Sequence, residues 1–147
     1  MPERIDRSEK EWRALLSPAE YRVLRRRRTE IAFTGAYWDT KDPGVYRCRG
    51  CGSSLFSSNA KYDSGSGWPS FYEPLAEGAI RSVEDHSLFM RRVEVRCAAC
   101  AGHLGHVFPD GPEPSGLRYC LNSAALELDS TADADSAEDQ REGKAGR

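Results

Sequence analysis

Five cysteines constrain this chain more than any other feature, because their spacing separates them into four and one. Cys48 and Cys51 form one C-x-x-C pair, and Cys97 and Cys100 form a second. Two such pairs offer four thiolates, the number that a closed tetrahedral zinc site takes. A fold that brings them together must place two distant tight turns side by side. Glycines beside the pairs (Gly50, Gly52 and Gly102) suit such turns, since glycine enters backbone conformations closed to other residues. The fifth cysteine, Cys120, stands alone in Arg118-Tyr119-Cys120-Leu121-Asn122. Once a metal takes four sulfurs and chemistry takes one, no cysteine remains to pair with Cys120.

Spacing alone leaves alternatives. Cys97, Cys100, His103 and His106 recur every three residues, and two cysteines with two histidines also make a standard zinc set. The interval between Cys51 and Cys97 is longer than in a common zinc ribbon. A redox-active dithiol is a third use of C-x-x-C, but neither pair sits in a thioredoxin-like βαβ pattern.

At 147 residues the chain is sized for one domain. Hydrophobic residues make up 39%, which allows only a modest core, so a structural metal would help to stabilise a loop-rich fold. A formal net charge of −2 gives no reason to expect a nucleic-acid or membrane partner. No stretch has the length of a membrane span. Residues 1–16 are rich in charge and lack the apolar centre of a secretory signal, so the expected compartment is the cytoplasm. There, C-x-x-C pairs hold metals or do redox chemistry more often than they form structural disulfides.

Two short helices are predicted first. Ser8 with Glu11 three residues later reads as a capping box, and Trp12, Leu15 and Leu16 supply an apolar stripe. Ser17-Pro18-Ala19-Glu20 repeats the signal, with Tyr21 and Leu24 facing inward. The arginine run at 25–28 reads as a solvated helix face, with a docking patch as the alternative. From Thr34 onward Gly, Pro, Asp and Ser punctuate short β-rich runs at 45–47, 87–97 and 117–128. Val93 and Val95 alternate with charged residues, the period of a half-buried strand. The expected organisation is a helical segment at 1–33 packed on the core, and a zinc-binding β catalytic core at 34–128 forming one domain with 8–33. A disordered acidic tail is expected at 129–147.

On a strand, Arg118, Cys120 and Asn122 share a face. A guanidinium beside a thiol favours the thiolate, which is the nucleophile. The plain alternative is that Cys120 is a small buried hydrophobe. His103 and His106 could supply acid–base chemistry, although each alone could be structural. Trp68 lies on the glycine-flanked loop Gly65-Ser66-Gly67-Trp68-Pro69, a setting suited to lining a pocket. His86, in an expected turn, has no assigned role.

Taken together, Tyr46-Arg47-Cys48 with Cys51, the run from Lys61 through Gly67-Trp68-Pro69-Ser70-Phe71, and the segments 102–110 and 116–125 resemble the B-type methionine sulfoxide reductases. The resemblance spans about residues 8–128. It implies a mainly β fold of two antiparallel sheets in a barrel-like core with short N-terminal helices, stapled by one structural zinc on Cys48, Cys51, Cys97 and Cys100. It implies Cys120 as the catalytic cysteine, with His103, His106, Asn122 and Arg118 around it and Trp68 and Phe108 holding the sulfur-bound methyl. The implied substrate is the R epimer of methionine sulfoxide, in proteins or free. The implied partner is thioredoxin or another thiol reductant, and the chain is expected to be a monomer. One departure stands out. Many family members carry a second, resolving cysteine where this chain has Ser66, and a hydroxyl forms no disulfide.

The rival reading is a non-enzymatic zinc-ribbon-like binding module that presents Trp68, Phe71 and Tyr72; its acidic pI of about 5.9 opposes nucleic acid. A zinc-stabilised exchange factor or chaperone of similar barrel fold is a third, and it would need no reactive cysteine.

Overall fold

The computed structural model describes residues 5–86 and 91–132. Two helices open it, α1 (Glu9–Leu15) and α2 (Pro18–Arg26). Both begin with the expected reciprocal caps. The Ser8 hydroxyl accepts the Glu11 N–H and the Glu11 carboxylate accepts the Ser8 N–H; Ser17 and Glu20 repeat this. Each cap contributes about 1 kcal/mol of helix stability. Trp12, Leu16, Tyr21 and Leu24 are buried. Leu15 is not part of the buried stripe: it points to solvent at 59% exposure.

Nine strands follow: β1 (Val45–Cys48), β2 (Ser54–Ser57), β3 (Lys61–Tyr62), β4 (Ser70–Phe71), β5 (Ile80–Asp85), β6 (Arg92–Cys97), β7 (His103–Phe108), β8 (Arg118–Leu121) and β9 (Leu126–Asp129). They form two antiparallel sheets, ordered β2-β1-β9 and β3-β4-β8-β7-β6-β5. The expectation of two antiparallel sheets holds; "barrel-like" describes them only loosely, since among the described residues both sheets are open. The run expected at 117–128 is two strands separated by a 3-10 turn, Ser123–Ala125, and β9 turns away to pair with β1 in the other sheet. Of the run expected at 87–97, residues 87–90 lie outside the described residues. So do residues 133–147, on which most of the expected tail falls.

Aromatic side chains join the two sheets. Tyr46 and Phe56 from β1 and β2 meet Phe71 of β4, with ring centroids 5.1 and 4.6 Å apart, and Phe56 lies 5.8 Å from Tyr119 of β8. Such pairs contribute about 0.5–1.5 kcal/mol each beyond the area they bury. This cluster lies beneath β8, so the strand bearing Cys120 is fixed from behind. Burial alternates along β8, with Tyr119 and Leu121 inward and Arg118 and Cys120 half-exposed.

Candidate active site and four-sulfur centre

The two C-x-x-C pairs form matching turns at the ends of β1 and β6. Cys48 N–H donates to Ser53 C=O, and Cys97 N–H donates to Gly102 C=O. Gly52 N–H returns to Cys48 C=O, and Ala101 N–H returns to Cys97 C=O. The position after the second cysteine of each turn needs a left-handed backbone, and it differs between the two. Gly52 takes φ +82° in the first turn, whereas Ala101 takes φ +64° in the second. Residue Gly102 serves another purpose, since a side chain there would press on Leu24 of α2.

The turns bring all four sulfurs within 4.8 Å of one another. Cys48 and Cys100 Sγ are 3.7 Å apart, and Cys51 and Cys97 Sγ are 3.6 Å apart. A tetrahedral zinc with bonds of about 2.3 Å requires edges of about 3.8 Å, so the donor set fits that ion. Hydrogen bonding to Cys100 and burial push the Cys48 thiol well above the usual range, because so many sulfurs cannot ionise together without a cation. The mixed cysteine–histidine set is not formed, since His103 and His106 are engaged elsewhere. Arg25 stacks on Trp12 at 4.6 Å and donates to Cys100 C=O at 2.9 Å, which packs the helices over this centre.

Cys120 opens onto a separate cleft of about 420 Å³, lined by Ser66, Trp68, His106, Phe108, Arg118 and Asn122 among others. None of the four knuckle cysteines lines it. Residues Ser70 and His106 pair with Cys120 across the sheet on either side. A close approach between β7 and β8 makes Gly105 obligatory, because a Cβ there would lie 2.1 Å from the Cys120 carbonyl oxygen. Ser66 Oγ stands 3.8 Å from Cys120 Sγ.

The guanidinium does not dominate the thiol as expected. Burial raises the Cys120 pKa above the ordinary thiol value, and Ser66 and Arg118 pull it back only partly. Arg118 is itself held by Asp110, at 2.9 and 3.2 Å, and lies 4.5 Å over the Phe108 ring. In the resting chain Cys120 is therefore mostly protonated at neutral pH. Its alkylation by iodoacetamide should rise about tenfold per pH unit from pH 7 to 9. A rate already level by pH 7 would contradict this.

The two histidines differ. Residues three apart on a regular strand face opposite sides. Here Val95 pairs with Gly105 but Arg96 pairs with His103, so Leu104 is an extra residue in β7. This bulge turns His103 and His106 to one face. His106 lines the cleft, and its Nε2 lies 2.8 Å from Asp85 Oδ2. His103 is 2% exposed, does not line the cleft, and places Nδ1 2.8 Å from Glu94 Oε2. Burial lowers the His103 pKa, so this ring is neutral near pH 7 and its Nδ1–H donates to Glu94.

Asp85 and Glu94 escaped the sequence reading. Glu94 is fully buried, although the alternation of β6 placed it with the solvent-facing charges. Burial opposes its ionised form, but hydrogen bonds from Arg96 and His103 outweigh that and leave its pKa low. Arg27, at the end of α2, joins the two carboxylates, 3.7 Å from Asp85 and 3.2 Å from Glu94. The arginine run is therefore not simply solvated: Arg25 serves the four-sulfur centre and Arg27 the histidine carboxylates.

Asn122 is a strut as well as a lining residue. Its Nδ2 donates to Leu104 C=O at 3.1 Å and its Oδ1 accepts the Glu30 N–H at 2.9 Å, leaving one amide hydrogen for the cleft. Trp68 Nε1 donates to the Glu30 carbonyl at 3.1 Å. Nothing local marked Glu30, because its partners lie more than 30 residues away in the chain.

A cysteine facing a cleft, with a carboxylate-held histidine beside it and a four-sulfur centre apart from it, is an arrangement that suits thiol chemistry on a mainly β fold. The SelR domain model matches residues 16–130. The chain is 57% identical over 125 residues to the peptide methionine sulfoxide reductase MsrB of Acinetobacter baylyi, covering 85% of this chain and 90% of that one. It is 52% identical over 124 residues to the protein of the same name from Leptospira interrogans, covering 84% and 95%. This chain belongs to the B-type methionine sulfoxide reductase family.

Proposed function

We propose that this enzyme reduces methionine-R-sulfoxide, protein-bound or free, to methionine through the Cys120 thiolate. The observation that carries the reading is the cleft itself: a single nucleophilic sulfur between an aromatic pair, Trp68 and Phe108, and a histidine held by Asp85. The polar S=O group distinguishes the substrate from methionine, whereas its methyl suits an aromatic wall. Membership of the family supports the substrate class.

Cys120 sulfur attacks the sulfoxide sulfur while His106 delivers a proton to the oxygen. Asp85 holds the His106 ring in place, and His103, neutral and packed beside it outside the cleft lining, orients its neighbour. The hydroxyl passes to Cys120 as the sulfoxide S–O bond breaks, so methionine leaves and Cys120 becomes a sulfenic acid. Two electrons have moved from cysteine to substrate. One external thiol then displaces water to give a mixed disulfide, and a second thiol releases Cys120. Thioredoxin is the reductant proposed first and a small cellular thiol the second. Ser66, beside Cys120 but without sulfur, leaves this recycling to the outside.

Cys48, Cys51, Cys97 and Cys100 would hold one zinc that joins the two sheets and takes no part in the reaction. The proposed setting is a cytoplasmic monomer that repairs oxidised proteins; no helix among the described residues is long and apolar enough to cross a membrane. The direct test is consumption of the separated sulfoxide epimers with dithiothreitol and, separately, with thioredoxin. Reduction of the R epimer alone is expected; equal rates on both would refute the stereochemical assignment. A pure binding module would reduce neither.

A further inference from the structure

Ile31 and Phe33 are two of the three large hydrophobic side chains exposed among the described residues, at 75% and 55%. Both lie on the loop after α2, and that loop is held firmly. The Glu30 carboxylate accepts the N–H groups of Ser123 and Ala124 at 2.8 and 3.0 Å. Its backbone bonds Asn122 and Trp68, and Phe33 N–H donates to Gly67 C=O at 2.8 Å. The Phe33 ring packs edge-on against Trp38 and so closely on Gly67 that a Cβ there would come within 2.8 Å of it.

Phe33 has φ +68°, a left-handed conformation that is strained for a bulky residue. The strain leaves more than half of Phe33, and most of its neighbour Ile31, exposed to water. Rigid apolar groups at the rim of a cleft lose little entropy when a ligand covers them.

Beside this loop runs an open groove of about 500 Å³, lined in part by Arg22, Val23, Arg28, Ile31 and Tyr37. Thr29 lines both groove and cleft, so the two spaces adjoin at this residue. Thr29 and Ile31 are two residues apart, at most about 7 Å between their Cα atoms. An extended substrate covers that distance within two residues of its sulfoxide.

We propose that Ile31, Phe33 and the adjoining groove seat the polypeptide chain that carries the sulfoxide, and favour apolar residues next to it. This rests on the reading of the cleft as the methionine sulfoxide site. A side chain entering the cleft leaves its own backbone outside it, within about two residues' reach of the ridge that Ile31 and Phe33 form.

The test uses full-length enzyme, metal-loaded, with dithiothreitol as sole reductant. Three R-sulfoxide substrates are compared: N-acetyl-methionine sulfoxide methylamide, a pentapeptide with leucines flanking the sulfoxide, and the same peptide with glycines. Wild type should prefer the leucine peptide to the glycine peptide at least about fivefold in kcat/KM, as expected for partial burial of one or two apolar side chains. Ile31→Ser should remove most of that preference through KM. The blocked amino acid, too short to reach the ridge, serves as reference and should change less than about twofold. Ile31→Val should restore the preference. Absence of a preference in wild type, or an equal loss on all three substrates, overturns the proposal. An Ile31→Ser defect that appears only when thioredoxin replaces dithiothreitol overturns it too, and assigns the ridge to the reductant. Failure of wild type to reduce the blocked amino acid or either peptide would instead strike the reading of the cleft, and this inference with it.

Discussion

Cys120→Ser should lower sulfoxide turnover at least about 1000-fold, the scale on which loss of a nucleophile acts in enzymes that use one. The replacement changes one atom in a half-exposed position, with the Ser66 hydroxyl 3.8 Å away and Arg118 alongside. Packing behind β8 is carried by Tyr119 and Leu121, which are untouched. The variant should therefore fold, keep its metal and melt near the wild-type temperature. The hydroxyl stays un-ionised and cannot become a sulfenic acid, so the loss is chemical. Steady-state assay with dithiothreitol, alongside thermal melting, separates the two effects. Residual turnover within tenfold of wild type in a folded Cys120→Ser protein would remove Cys120 from its role.

The second large effect concerns the metal. Cys97→Ala should abolish zinc binding and lower the melting temperature by at least about 10 °C, since a structural zinc contributes folding free energy directly. Cys48 ends β1 in the three-stranded sheet, and Cys97 ends β6 in the six-stranded sheet. An ion held by both adds a direct link between the two sheets. His103→Ala should retain one zinc per chain, because His103 is engaged by Glu94 and lies outside the four-sulfur set. Metal analysis of the two purified variants decides it. Zinc lost from His103→Ala but kept in Cys97→Ala would reverse the assignment.

What was legible in the sequence was local. Both helix caps are written in residues three apart, and both sulfur turns within a few residues, so short-range chemistry suffices to find them. The candidate nucleophile, Cys120, stood out by subtraction. The groups that orient the site were hidden because their reasons are distant in the chain. Glu94 looks like the outward half of an alternating strand, yet His103 and Arg96 cover that face. His103 and His106 share a side only because of the bulge at Leu104, which no residue-type signal marks. Arg118 does pull the Cys120 thiol toward the thiolate, but burial, which the sequence does not display, outweighs it. The barrel-like core came from resemblance and is only loosely met, since among the described residues both sheets are open.

The central claim, one nucleophile with no internal partner, is tested most directly by a single turnover. Zinc-loaded enzyme is mixed with one equivalent of R-sulfoxide substrate and no reductant, then treated with dimedone and mapped by mass spectrometry. The account predicts one dimedone adduct, on Cys120, with Cys48, Cys51, Cys97 and Cys100 unmodified and no disulfide. Ser66→Cys, which places a second sulfur where the hydroxyl now stands 3.8 Å from Cys120, should convert that adduct into a Cys120 disulfide. A disulfide between Cys120 and any of the four knuckle cysteines in the native chain would contradict the division of the sulfurs into four and one.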